Sequence, residues 1–189
     1  METKNIMIVG VGGQGTLLTS RVLGGIIQAA GYDVKLSEVH GMAQRGGSVV
    51  TFGRYGDKVY EPIVEEGQAD VLIAFEKLEA MRYAHFLKED GVMIVNDQRM
   101  DPMTVVTGMA EYPENILDTL KEKYRVVSID AMAEAKKLGN ARVFNTIILG
   151  VAAKSMDFDK EQWLEVIAAT VPPKTVELNQ KGFLTGYEK

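Results

Sequence analysis

Ile6-Met7-Ile8-Val9 runs without a polar residue into Gly10-Val11-Gly12-Gly13-Gln14-Gly15, and from there into a segment with helical patterning. An apolar strand, a glycine turn and a helix in that order make the opening unit of an open α/β sheet. The rest of the chain keeps the alternation. Strands are expected at Asn5–Val9, Asp33–Val39, Ala69–Phe75, Gly91–Val95 and Arg125–Ile129, with a further short one at Met103–Thr107. Helices are expected from Gln14 to Ala30, stopped at Gly31, from Lys77 to Leu87, and from Pro113 to Lys123. Ser48–Arg54 and Lys58–Tyr60 read as a β-hairpin around Tyr55-Gly56-Asp57. From Ala131 the pattern is helical: one helix ends at Gly139, and others cover Arg142–Met156, Lys160–Ala169 and, after Pro172-Pro173, Lys174–Phe183. No linker, repeat or low-complexity stretch interrupts residues 1–189, so a single three-layer α/β/α domain is expected, its sheet mostly parallel and its last third helical.

Three absences limit the chemistry. The chain has no cysteine, so it offers no thiolate to an iron–sulfur cluster, a disulfide or a Cys nucleophile. Its two histidines, His40 and His85, lie too far apart to form a local metal motif, and no metal is assigned to it. A net charge of -5 provides no basic face for nucleic acid. No apolar run approaches the ~20 residues of a membrane helix, and Met1-Glu2-Thr3-Lys4-Asn5 passes at once into a strand, so a cytoplasmic protein is expected.

The glycine turn admits several readings. Gly10-x-Gly12-x-x-Gly15 matches the dinucleotide fingerprint, with Asp33 or Glu38 available as the ribose-binding acid. Glycines let the backbone approach an anion, and the helix N-terminus favours negative charge there. As a phosphate loop the segment fails, because Thr16 stands where the lysine should be. It also serves simply as a tight strand-to-helix turn. Gly24-Gly25 inside the first helix cost about 1 kcal/mol each against alanine, which implies a close neighbour on that helix face.

A second polar loop follows strand two: Glu38-Val39-His40-Gly41-Met42-Ala43-Gln44-Arg45-Gly46-Gly47-Ser48. Arg45 can hold a carboxylate or phosphate bidentately, His40 can donate to an oxo group, and Gln44 and Ser48 add neutral donors. Singly, each has a structural explanation. Grouped among Gly41, Gly46 and Gly47, they read as a functional loop facing a crevice at the ends of successive strands.

The two loops together resemble the gamma subunit, or gamma domain, of 2-oxoacid:ferredoxin oxidoreductases. Ala69–Glu76 with Leu78-Glu79-Ala80 and Arg82-Tyr83 is similar to that family's middle segment. Ala110-Glu111-Tyr112-Pro113 and Gly139–Asn145 with Leu149-Gly150 resemble the beta subunit of the indolepyruvate branch. The resemblance covers nearly the whole chain and implies a Rossmann-like sheet. It implies a small subunit of a complex that oxidatively decarboxylates a 2-oxoacid with coenzyme A and passes electrons to ferredoxin. Thiamine diphosphate, magnesium and the iron–sulfur clusters would then sit on a larger partner, since this chain lacks cysteine and a thiamine–magnesium motif. On this reading the glycine loop is Gly10, Gly12, Gly13, Gln14 and Gly15, and its Gly12–Gly15 turn with the start of the helix forms an anion-friendly floor. Gln44 and Arg45 contact substrate, coenzyme A or the partner, while Glu38 and His40 orient their loop. No residue is assigned a catalytic role. The alternatives are a gamma subunit for pyruvate, 2-oxoglutarate or 2-oxoisovalerate, a free-standing NAD(P)- or FAD-binding protein, and a pure assembly module. In isolation the chain could pair with a second copy of itself.

Overall fold

β1 (Lys4–Val11) lies inside the sheet, and its last six residues are buried. The computed structural model describes residues 2–40 and 47–189. Six strands form one sheet in the order β2-β3-β1-β4-β5-β6, where β2 is Asp33–His40, β3 Ser48–Gly56, β4 Ala69–Ala74, β5 Leu87–Asn96 and β6 Arg125–Ile129. β1, β4, β5 and β6 are mutually parallel; β3 runs antiparallel to both β1 and β2. Strands buried on both faces need near-continuous apolar sequence, and β1, β4 and the second half of β5 have it.

Alternation along the strands sorts the core into two layers. Ile6, Ile8, Ile73 and Ile94 face α1 (Thr16–Ala29) and the C-terminal helices, while Met7, Val9, Leu72 and Met93 face the opposite side. That second side is covered by α2 (Lys77–Tyr83) and α4 (Ile116–Lys121), with the single turn α3 (Met103–Val106) between β5 and α4. The helical last third comprises α5 (Ala131–Lys137), α6 (Phe144–Ala153), α7 (Lys160–Thr170) and α8 (Val176–Tyr187). All ten residues of α6 are buried. The doubled glycine of α1 has the close neighbours its sequence implies: a Cβ on Gly24 would lie 3.2 Å from Leu36 Cδ1, and one on Gly25 2.8 Å from Val166 Cγ1. No helix among the described residues is long and apolar enough to cross a membrane.

Some expected elements take another form. There is no hairpin over 48–60: β3 is one strand of nine residues, and its hairpin partner is β2, not Lys58–Tyr60. Both edges of β3 are already occupied by β2 and β1, so residues 58–60 find no free ladder. The Asp33 carboxylate draws the chain aside instead, accepting from the Val59 N–H at 3.0 Å. Met103–Thr107 is not a strand either. Pro102, with φ −67°, opens the single helical turn α3 there. The helix expected from Pro113 starts only at Ile116, after Asn115 has turned through a left-handed conformation.

Candidate functional site

The parallel strands β1, β4 and β5 end at one edge of the sheet, and the antiparallel β3 begins there with Ser48, opposite Val11 of β1. Chain direction diverges at this edge. From β1 the chain crosses over to β2 on one side, and β4 lies on the other, which is where an open α/β sheet leaves a crevice.

Gln14 occupies the floor of that crevice. Its side chain is buried, with Oε1 accepting from the Val11 N–H at 2.8 Å and Nε2 donating to the Phe75 carbonyl at 3.1 Å. A longer bond, 3.3 Å, runs from Nε2 to Gln98 Oε1. One amide thus closes the gap between the ends of β1 and β4, leaving none of its buried polar groups unmatched. Gly10 fits beneath it because any Cβ would meet Gln14 Oε1 and Phe75 Cβ at 3.0 Å. Gly15 caps α1 with φ 86°, and a side chain there would also strike Asn145.

The two polar loops meet. The Gly12 N–H donates to the Gly47 carbonyl at 2.9 Å, so the glycine turn and the end of the second loop are joined by a backbone bond. Ser48 Oγ donates to Glu79 Oε2 at 2.5 Å and lies 3.3 Å from the Tyr83 hydroxyl. At the other end of that loop, His40 Nε2 is 2.8 Å from Glu38 Oε1, and Glu38 also accepts from Thr51 Oγ1 at 3.1 Å. Gly41, Met42, Gln44, Arg45 and Gly46 lie outside the described residues.

The dinucleotide reading loses its acid. In a dinucleotide fold the second strand lies beside the first, whereas here β3 separates β2 from β1. Glu38 is therefore committed to Thr51 and His40 one strand further out. Asp33 lies at the far end of β2, bonded to Val59 and Lys35.

Sequence reasoning gave no role to the buried carboxylates of α2. Glu76 is 1% exposed and accepts from the Glu79 N–H at 3.0 Å, the Met100 N–H at 3.2 Å and the Tyr112 hydroxyl. Glu79 is 2% exposed, and Arg82 Nη1 donates to its Oε1 at 2.7 Å. Burial pushes the Glu79 carboxyl above its ordinary range; the Ser48 bond and the Arg82 charge pull it back in part, and Glu76 opposes them. Burial and the bond to Glu76 hold the Tyr112 hydroxyl well above the ordinary tyrosine range. Arg99 stacks 4.4 Å from the Tyr112 ring centroid, at the lip of an open cleft of about 430 Å³ that Lys77 and Asn115 also line. Glu76-x-x-Glu79 directly after an apolar strand carries no distinguishing signal, since an ordinary solvated helix start has the same spacing.

Cofactor chemistry has little to hold it here. The sequence has no thiolate, and no group of three or more His, Asp or Glu able to bind a metal gathers among the described residues. These residues do not fit an iron–sulfur cluster.

Known proteins share the arrangement along its whole length. The family model for pyruvate ferredoxin/flavodoxin oxidoreductase matches residues 5–189. The chain is 42% identical to indolepyruvate oxidoreductase subunit IorB of Archaeoglobus fulgidus over 98% of its own length and 94% of the relative's. With the IorB subunit of Pyrococcus horikoshii the identity is 41%, over 98% and 95%. The crystal structure of the keto/oxoacid ferredoxin oxidoreductase gamma subunit from Geobacter sulfurreducens superposes with a TM-score of 0.72 at 26% identity, covering 98% of this chain and 96% of that one. A family model that matches residues 5–189 and end-to-end identity of 41% and 42% to these subunits place the chain plainly: it belongs to the pyruvate ferredoxin/flavodoxin oxidoreductase family.

Proposed function

We propose that this chain is the small, gamma-type subunit of a 2-oxoacid:ferredoxin oxidoreductase that acts on indolepyruvate. The observation that carries the reading is identity of 41% and 42% to indolepyruvate oxidoreductase subunits over 98% of the chain. Residues 1–189 act as one gamma-type domain in the cytoplasm, docked on a larger subunit. That partner supplies thiamine diphosphate with magnesium for decarboxylation, and the iron–sulfur clusters that pass electrons to ferredoxin. Coenzyme A is the acyl acceptor. This chain supplies a face: the Gly12–Gly15 turn at the start of α1 favours an anionic group, and Gly47 and Ser48 lie beside it through the Gly12–Gly47 bond.

Anaerobic affinity purification from the native cell extract tests the assignment. The expected result is a stoichiometric larger subunit carrying thiamine diphosphate and iron, with dye reduction that is faster with indolepyruvate than with pyruvate or 2-oxoglutarate. A lone chain carrying a dinucleotide would overturn it.

Arg45 tests the loop. Arg45→Ala in the assembled complex is expected to lower kcat/KM at least tenfold, the loss of one charge-assisted contact worth about 1.5–3 kcal/mol, without changing the melting temperature of the isolated subunit. Wild-type Michaelis constants and turnover in that variant would remove Arg45 from the site.

A further inference from the structure

Glu76 caps α2 and Glu79 lies in its first turn, and each holds a different segment of the chain. Glu79 takes the Ser48 hydroxyl at 2.5 Å; Ser48 starts β3 directly after Gly47, the residue bonded to the glycine turn. Glu76 takes the Met100 N–H and the Tyr112 hydroxyl, both in the segment between β5 and α4 that carries Arg99. The Glu79 N–H donating to Glu76 Oε2 joins the two at the backbone.

Packing alone does not ask for carboxylates here. Apolar side chains of similar size would fill the space without the cost of desolvating charge. A carboxylate adds directed bonds, and these run to two different segments of chain, the start of β3 and the stretch between β5 and α4. Arg82 offsets the Glu79 charge from the solvent side, its own side chain 43% exposed. That leaves Oε2 aimed at Ser48.

We infer that Glu79 is a positioning residue for Ser48, and that with Glu76 it makes a single turn of α2 set the spacing between the start of β3 and the 100–112 segment. Helix α2 thereby acts as a spacer: the serine hydroxyl and the 100–112 segment take their positions from its first turn. The inference deepens the subunit reading above and rests on it.

The test uses the complex of this chain with its large subunit. Ser48→Ala and Glu79→Leu are each expected to raise the Michaelis constant for the 2-oxoacid or for coenzyme A at least fivefold, with kcat within twofold of wild type. Glu79→Gln keeps an acceptor for the Ser48 hydroxyl and should stay within twofold on all constants. The double variant Ser48→Ala/Glu79→Leu should be no worse than the more affected single variant, because both break the same bond. Melting temperature and assembly are followed in parallel. A purely structural Glu79 would lower the melting temperature of Glu79→Leu while Ser48→Ala kept wild-type Michaelis constants; that result, or additive losses in the double variant, overturns the inference. If Glu79→Leu does not assemble, Ser48→Ala against Glu79→Gln decides by the same criteria. A wild-type complex without 2-oxoacid-dependent reduction would overturn the subunit assignment, and this inference with it.

Discussion

Gly186→Ala is expected to lower the melting temperature by about 10 °C, the consequence of losing about 3 kcal/mol or more to overpacking in a chain of this size. α6 and α8 cross with backbone against backbone. A Cβ on Gly186 would lie 1.9 Å from the Ile147 carbonyl oxygen, and one on Gly150 2.0 Å from that of Phe183. No rotamer change relieves a clash between Cβ and main chain, so the helices must separate. α6 is buried along its whole length and cannot retreat without disturbing its layer of the core. Gly25→Ala is the control. Its Cβ would meet the end of the Val166 side chain, which can turn away, and alanine favours helix by about 1 kcal/mol over glycine. Differential scanning calorimetry of both variants would settle the matter. Equal melting temperatures would mean that the α6–α8 crossing has slack that the structure does not suggest.

Glu76→Ala is expected to cost about 4 kcal/mol, on the order of 1–3 kcal/mol for each buried donor left without an acceptor. The Glu79 N–H, the Met100 N–H and the Tyr112 hydroxyl all lose their partner at once. Tyr112→Phe removes a single bond to the carboxylate and should cost about 1.5–3 kcal/mol. Urea unfolding gives both values. Limited proteolysis adds a local readout, since the 97–115 segment should be cut sooner in both variants than in the wild type. A Glu76→Ala protein as stable as wild type would show that water replaces the carboxylate at no cost, and the spacer role of α2 would lose its physical basis.

Much of the scaffold was legible because it is local. β1 and β4 carry the apolar runs Ile6–Val9 and Val71–Ala74, β6 the β-branched pair Val126-Val127, and α7 begins with an Asp159–Gln162 capping box. The insertion of β3 between β1 and β2 was not legible. Its register pairs residues 48–56 with 4–11 on one side and 33–40 on the other, and nothing in the local pattern distinguishes a strand with two partners from one arm of a short hairpin. The site was half visible. Glycine and polar clustering drew attention to Gly10–Gly15 and to His40–Ser48. The α2 carboxylates escaped, because an acid at a helix start normally reads as a solvated residue favoured by the helix dipole. Only burial separates Glu76 and Glu79 from that ordinary case. Gln14 was legible as a polar residue in a glycine turn, but not as the bridge between β1 and β4, since Phe75 is 61 residues away.

The placement of β3 has a consequence for synthesis on the ribosome. The β1–α1–β2 unit emerges first, yet its two strands are not neighbours; they bracket a lane one strand wide that residues 48–56 must fill. Until Gly56 has left the exit tunnel, β1 and β2 each expose an unsatisfied ladder edge, and such edges pair readily with other chains. The returning strand must therefore satisfy two edges, the near one of β2 across a short connection and the distant one of β1 across residues 12–47, before the N-terminal half of the sheet is closed.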